Sequence, residues 1–225
     1  MKFLFKYPSR GRKDLFRSNL LEWVDYLSGK HDVRFVISGD ADDPDMNCPE
    51  TLAWVQELSK CLNIEMWLNP GKQTKISACN ANVSGEWETL ILMSDDMSPI
   101  VHGYDDIIAT EMLEHYPDLS GALWHNDGTW GSDKICTLSI MGRKLYETLG
   151  REIYWHEYQT LWCDTEFQAV CMAMGKITYF PRTIIRHDWI RKTGVDATHR
   201  RNSSAGSIDH DRMLFEKRHK AGFPR

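Results

Sequence analysis

The chain has 225 residues and a mass of 26.2 kDa, with 42% apolar, 26% charged and 11% aromatic residues. A domain of that size buries roughly 70% of the surface its unfolded chain exposes, so it folds without disulfides or a structural metal, and disordered and fibrous classes are excluded. The net charge of -5 is unevenly spread: residues 1–30 hold seven Lys/Arg against three Asp/Glu and residues 182–225 hold eleven against five, so the acidic excess lies between two basic ends.

Phe3, Leu4 and Phe5 predict an opening strand, stopped by Pro8 and Gly11. Phe16, Leu20, Trp23, Val24 and Leu27 then recur at helical spacing, with Asp14 as the expected N-cap. Val33 to Ile37 repeats the strand signal and leads into the acidic loop Gly39 to Pro44. Pro49 opens a second helix with Leu52, Val55, Leu58 and Leu62 on one face. A third strand, Ile64 to Leu68, ends at Asn69-Pro70-Gly71; a short helix around 76–83 and a strongly apolar strand, Thr89 to Met93, follow. Strands alternating with helices in this way predict right-handed βαβ units around a mostly parallel sheet. Ligands of such sheets collect at the carboxyl ends of the strands, which singles out the loops 8–13, 39–45 and 94–99.

Beyond residue 100 the rhythm loosens. Ile107, Ile108, Met112 and Leu113 predict a helix, Gly121 to Trp124 and Ile135 to Ile140 predict strands, and a helix carrying Phe167, Val170, Cys171 and Met174 starts near Asp164. Ile177 to Phe180 reads as a late strand, and Gly194 to Ser207, without periodicity, reads as a mobile loop. With no internal repeat or linker, one domain is expected over 1–225, ending in a basic, partly mobile segment at 191–225. The six cysteines show no close Cys-x-x-Cys pair and read as free, buried thiols. His102, His125 and His156 read as packed or solvated; Trp124, Trp130 and Trp155 are candidates for stacking on a sugar or a base.

The fourth strand runs into Ser94-Asp95-Asp96-Met97. Two carboxylates at the end of a buried strand call for a positive partner, and an oxygen-preferring cation such as Mg²⁺ or Mn²⁺, itself able to hold a diphosphate, is one solution. A turn in which one Asp caps the next helix is the other. The basic ends, if they meet, form an electropositive rim suited to a polyphosphate or a nucleic acid.

The order of these segments resembles the family-2 glycosyltransferases of the GT-A fold: Pro8-Ser9-Arg10-Gly11-Arg12 after strand one, Asp40 after strand two, then Asn69-Pro70-Gly71 with Lys75 and Asn80, then Ser94-Asp95-Asp96. The second half continues it with Trp162-Cys163-Asp164-Thr165-Glu166-Phe167 and Arg186-His187-Asp188. The resemblance implies a GT-A domain with an α/β, Rossmann-like mixed, mostly parallel sheet flanked by helices, its nucleotide-sugar half at 1–97 and its acceptor half at 98–190. It implies a donor site at Pro8, Ser9, Arg10, Arg12, Asp40, Lys75, Asn80 and Asp95, and a divalent cation, Mn²⁺ or Mg²⁺, on Asp95, Asp96 and His187. Asp164 takes the place of the general base, with Glu166 in reserve. Where the usual motif is Asp-x-Asp this chain begins with Ser94, which puts the weight on Asp96.

The expected activity is transfer of a sugar from a nucleotide-diphosphate donor, a UDP-sugar first, to an acceptor hydroxyl with inversion. The acceptor is a saccharide or, as in some bacteriophages, a hydroxymethylated pyrimidine of DNA. A nucleotidyltransferase of similar fold and a non-catalytic nucleotide-binding module are the alternatives. No apolar run is long enough to span a membrane and Lys6 interrupts the only apolar start, so a cytoplasmic protein, in the host cytoplasm if viral, with no membrane partner is expected.

Overall fold

Along a strand successive side chains point to opposite faces, and β1 (Lys2–Pro8) buries both: Phe3, Phe5 and Tyr7 enter one apolar cluster and Leu4 the other. The computed structural model describes every residue except Lys72, Trp130, Ser132 and 189–194. Helix α1 (Lys13–Asp25) connects β1 to β2 (Asp32–Asp40), α2 (Pro49–Leu58) connects β2 to β3 (Ile64–Asn69), and α3 (Lys75–Asn80) leads towards β4 (Thr89–Leu92). After the short strand β5 (Met97–Pro99) come α4 (Tyr104–His115), β6 (Ala122–His125), β7 (Ile140–Gly142), α5 (Arg143–Thr148), α6 (Cys163–Ala173), β8 (Ile177–Phe180) and β9 (Ile185–His187). Two helices, α7 (Ala197–Asn202) and α8 (Ala205–Lys220), follow the undescribed stretch.

Seven strands form one sheet in the order β3-β2-β1-β4-β7-β6-β8, in which β7 alone is antiparallel to its neighbours. The expected mixed, mostly parallel α/β sheet is thus present. The chain steps from β1 outward to β2 and β3, then returns to place β4 on the other side of β1. The loops leaving β1 and β4 therefore diverge from neighbouring strand ends, and the crevice between them is the topological switch point where ligands bind in such sheets. A second sheet pairs β5 with β9, Met97 opposite His187, and so carries His187 to the end of β4.

Several local expectations change. Asp14 lies in the first turn of α1, whose N-cap is Arg12. The strand expected over 135–140 starts only at Ile140, because the preceding turn docks on α6: the Cys136 amide donates to Gln168 Oε1 at 2.8 Å. The segment read as a loop over 194–207 contains α7 and the start of α8, while Gly194 itself is outside the described residues. Cys79, Cys136, Cys163 and Cys171 are buried and all six cysteines are free, though Cys61 is exposed. Among the described residues no helix is long and apolar enough to cross a membrane.

Candidate active site

A cavity of about 350 Å³ opens at the switch point. β1 ends there in Pro8 and the loop after it supplies Ser9, Arg10 and Arg12; β2 ends there in Asp40; α3 begins there with Lys75; the loop after β4 supplies Asp95 and Asp96; β9 brings His187 and α6 brings Asp164. Gly11 holds a left-handed φ of +66°, and a Cβ there would stand 3.0 Å from Thr198 Oγ1, so the loop is packed directly against α7.

Beside the β1 loop, Arg10 binds Asp40 at 2.6 Å and Asp42 at 2.5 Å. Arg201 of α7 reaches the same Asp40 oxygen at 3.5 Å, and donates to the Gln73 carbonyl at 2.7 Å. Arg12 grips Asp196, the N-cap of α7, at 2.7 and 3.0 Å. Helix α7 is thereby strapped across the cavity by guanidinium groups, a contribution that the sequence reading did not assign.

The two acidic residues after β4 differ. Asp95 accepts from Ser9 Oγ at 2.9 Å and lies 3.6 Å from Arg12; burial pushes its carboxyl up to about 6, against the pull of Arg12, Tyr7 and Ser9. For Asp96 burial works in the same direction, but hydrogen bonds from His187 and Ser94 outweigh it and hold the carboxyl well below the usual range. The His187 Nε2 stands 3.6 Å from Asp96 and its Nδ1 stands 3.5 Å from Asp127. Burial lowers the affinity of this imidazole for a proton, yet the two carboxylates raise it to about 9. Asp127 is itself fixed by Thr129 and Thr137.

Among the described residues no group of three or more His, Cys, Asp or Glu forms a ready metal cage. The donors facing the cavity nevertheless fit a hard divalent ion: one ionised carboxylate, Asp96, and one imidazole oriented from behind by a carboxylate. Mg²⁺ sites of this kind use one or two protein ligands and complete their shell with phosphate oxygens and water.

Lys75 links the two ends of the cavity. Desolvation lowers its proton affinity, but the thiols of Cys163 and Cys79 and the carboxylates of Asp164 and Asp96 raise it overall. Asp164 is half-buried and accepts from the Thr165 amide at 2.8 Å. It does not cap α6, whose N-cap is Trp162.

Two expected site residues lie elsewhere. Asn80 does not line the cavity: its side chain binds the amides of Ile153 and Tyr154 and the carbonyl of Tyr154, and so pins that loop to α3. Glu166 is buried in a bidentate pair with Arg218, both bonds 2.8 Å, accepts from Tyr158 Oη at 2.9 Å, and does not line the cavity. Of the candidate stacking residues, Trp124 is buried against Tyr179 and Trp155 lies beneath the Arg218 guanidinium at 3.7 Å. Trp130 is outside the described residues. His125 is buried beside Glu111, His102 stacks on Tyr26 and His156 is an exposed partner of Glu152, in line with the packed or solvated reading.

Solved structures share this architecture. The chain is similar to the S. aureus TarS fragment 1–349 in complex with UDP: TM-score 0.65, 15% identity, 98% of this chain and 72% of that one. It is also similar to the mannosyltransferase PcManGT of Pyrobaculum calidifontis in complex with GDP-Man and Mn²⁺, with TM-score 0.60 and 14% identity over 81% of this chain. The fold is that of the GT-A glycosyltransferases. A Drosophila β-1,4-galactosyltransferase 7 mutant complexed with manganese, UDP-Gal and xylobiose matches with TM-score 0.53 and 11% identity, covering 85% of this chain and 73% of its own. This chain spans 55% of the mannosyltransferase. No protein-family model matches the sequence, and no curated protein does. On the GT-A fold, the crevice between β1 and β4 is the part of the sheet edge that the cavity occupies.

Proposed function

We propose that the protein is a glycosyltransferase that moves a sugar from a nucleotide-diphosphate donor, a UDP-sugar, to an acceptor hydroxyl with inversion at the anomeric carbon. The observation that carries this reading is the convergence in one cavity of the β1 loop, Asp40, the Asp96–His187 pair and Asp164, from elements spread over the whole chain. UDP stands in the TarS complex, UDP-Gal in the galactosyltransferase complex and manganese in the galactosyltransferase and mannosyltransferase complexes, which supports donor and cation alike.

In this reading Asp40 and the β1 loop hold the nucleotide, and Arg12 and Lys75 face the diphosphate. Asp96 and His187 would hold the divalent ion, which, when bound, offsets the charge that builds on the leaving diphosphate. The acceptor oxygen forms its bond to the anomeric carbon as the bond from that carbon to the phosphate oxygen breaks, the electron pair leaving with the diphosphate. Asp164 accepts the hydroxyl proton. Attack from the face opposite the leaving group inverts the centre.

A saccharide is the favoured acceptor, since xylobiose occupies the galactosyltransferase complex. A hydroxymethylated pyrimidine of DNA rests on the basic C-terminal segment. Much of that positive charge is engaged within the molecule: Arg201 by Asp40, Arg212 by Asp209 and Glu216, and Arg218 by Glu166. Incubation with a panel of nucleotide sugars and Mn²⁺ should release a nucleoside diphosphate, faster with an accepted saccharide, and product mass should rise by one sugar. Release only with hydroxymethylated DNA would move the acceptor to nucleic acid; inertness towards nucleotide sugars, with release of pyrophosphate from a nucleoside triphosphate and a sugar phosphate, would replace the reading with nucleotidyl transfer.

A further inference from the structure

Helix α8 buries two residues, and both are charged: Asp211, wholly inaccessible, and Arg218. The carboxylate of Asp211 accepts three consecutive backbone amides, those of Gln159 at 2.9 Å, Thr160 at 2.7 Å and Leu161 at 2.9 Å. His210 Nδ1 lies 2.9 Å from the same carboxylate. Seven residues further on, Arg218 makes its bidentate bond to Glu166 in the first turn of α6, where Arg225 also reaches Glu166 at 3.4 Å. Between these two anchors lie Trp162 and Asp164.

Trp162 adopts φ +59°, a left-handed conformation disfavoured for a bulky residue, immediately before the helix begins. Such backbone persists only where the surroundings over-determine it, and it collects at functional sites. Here the surroundings are the amide trio on Asp211 upstream and the Glu166–Arg218 pair downstream. Thr160 and Leu161 line the cavity beside Asp164.

We propose that Asp211 is a positioning residue: by collecting the amides of 159–161 it holds the Trp162 turn and so aims the first turn of α6, with Asp164, into the cavity. The role of Asp164 as base is taken from the function proposed above. Asp211 touches neither donor nor acceptor and acts through the backbone. A carboxylate is required because three N–H groups need acceptors at once; an amide in its place turns an NH₂ towards at least one of them.

The test compares Asp211→Asn with the parent chain, each also carrying Asp164→Asn. Misplacement of a reacting group by about 1 Å costs on the order of 100-fold in rate, so Asp211→Asn should lower kcat by roughly 10- to 100-fold with donor KM unchanged. In the Asp164→Asn background it should lower kcat no further. Hydrogen exchange should quicken at residues 160–166 while the amides of β1, β2 and β4 keep their protection. An equal fold-loss in both backgrounds, or unchanged exchange at 160–166, overturns the proposal. If Asp164→Asn alone left kcat intact, the base assignment would fall, and the exchange result would still decide whether Asp211 orders the turn. Because Asp211→Ala leaves three amides without acceptors, that of Thr160 buried and the other two partly so, and risks the fold, the Asn variant is the one that decides.

Discussion

His187 and Asp96 lie 3.6 Å apart although they stand 91 positions apart in a chain of 225 residues, and the β5–β9 pairing is what brings them together. Asp127 holds the far side of the same ring, so the imidazole is fixed between two carboxylates with one of them facing the cavity. Replacing Asp96 with Ala should abolish the Mn²⁺-dependent part of nucleotide binding while leaving the melting temperature within a few degrees, since no buried partner other than His187 and Ser94 loses a bond. Calorimetric titration of UDP with and without Mn²⁺ measures this. Equal enhancement by Mn²⁺ in the parent and the variant would exclude Asp96 as a ligand.

Asp164→Asn separates a base from a structural residue. Asn retains the acceptor for the Thr165 amide but cannot take a proton, and Asp164 is not the helix cap, so stability and donor affinity should be unchanged. Loss of a general base costs about 100- to 10,000-fold, and single-turnover kinetics with saturating donor should show a fall in that range. Near-parental turnover would remove Asp164 from the chemistry.

Glu166, two residues on, should behave in the opposite way. It is inaccessible and paired with Arg218, so truncation to Ala leaves a buried guanidinium without its carboxylate, at a cost of about 3–5 kcal/mol. Urea unfolding of Glu166→Ala should show that loss. A stable, inactive Glu166→Ala protein would instead restore it to the chemistry.

How much of this was legible in the sequence depended on how each element is buried. The strands β1, β2 and β4 are apolar runs buried on both faces, and the loops they aim at the cavity followed from their order. The strands β5 and β9 have three residues each, too short for any periodicity, so His187 was found by resemblance and its route to the site was not. Helix α8 escaped because it docks through Asp211 and Arg218, the reverse of the apolar stripe by which amphipathic helices are read. Asn80 and Glu166 carry the right chemistry near the right places, but their partners, the amides of 153–154 and Arg218, lie far along the chain and outside any local pattern.

Asp40 is held by Arg10 and Arg201 from two sides, and in the proposed function these guanidiniums would share it with a bound nucleotide. Removing the carboxylate should weaken nucleotide binding by about tenfold, the scale of one hydrogen bond to a charged group. Equilibrium titration of Asp40→Ala with UDP and with UMP should show the same factor for both, placing the contact on the nucleoside rather than on the terminal phosphate. A loss confined to UDP would put the diphosphate at Asp40 instead.

Lys6 gives the pH dependence. It lies within β1, is wholly inaccessible, and donates to Ser38 Oγ, with no carboxylate in its ion pairs or hydrogen bonds among the described residues. Burial lowers its pKa from 10.5 to about 7. The unfolded chain therefore keeps this proton up to about pH 10.5 while the folded chain gives it up near 7, and between those values unfolding takes up a proton. Stability accordingly rises with pH across that window, by about 1.4 kcal/mol per unit at most from this group, and the full penalty is present below pH 7. Lys6→Met, which fills similar volume without charge, should stabilise the protein most at pH 6 and progressively less towards pH 10. Urea unfolding of both proteins at pH 6, 8 and 10 reads the difference directly, because contributions from all other titrating groups cancel between them. A gap that does not narrow with pH would mean that the Lys6 ammonium stays charged in the fold and is solvated there.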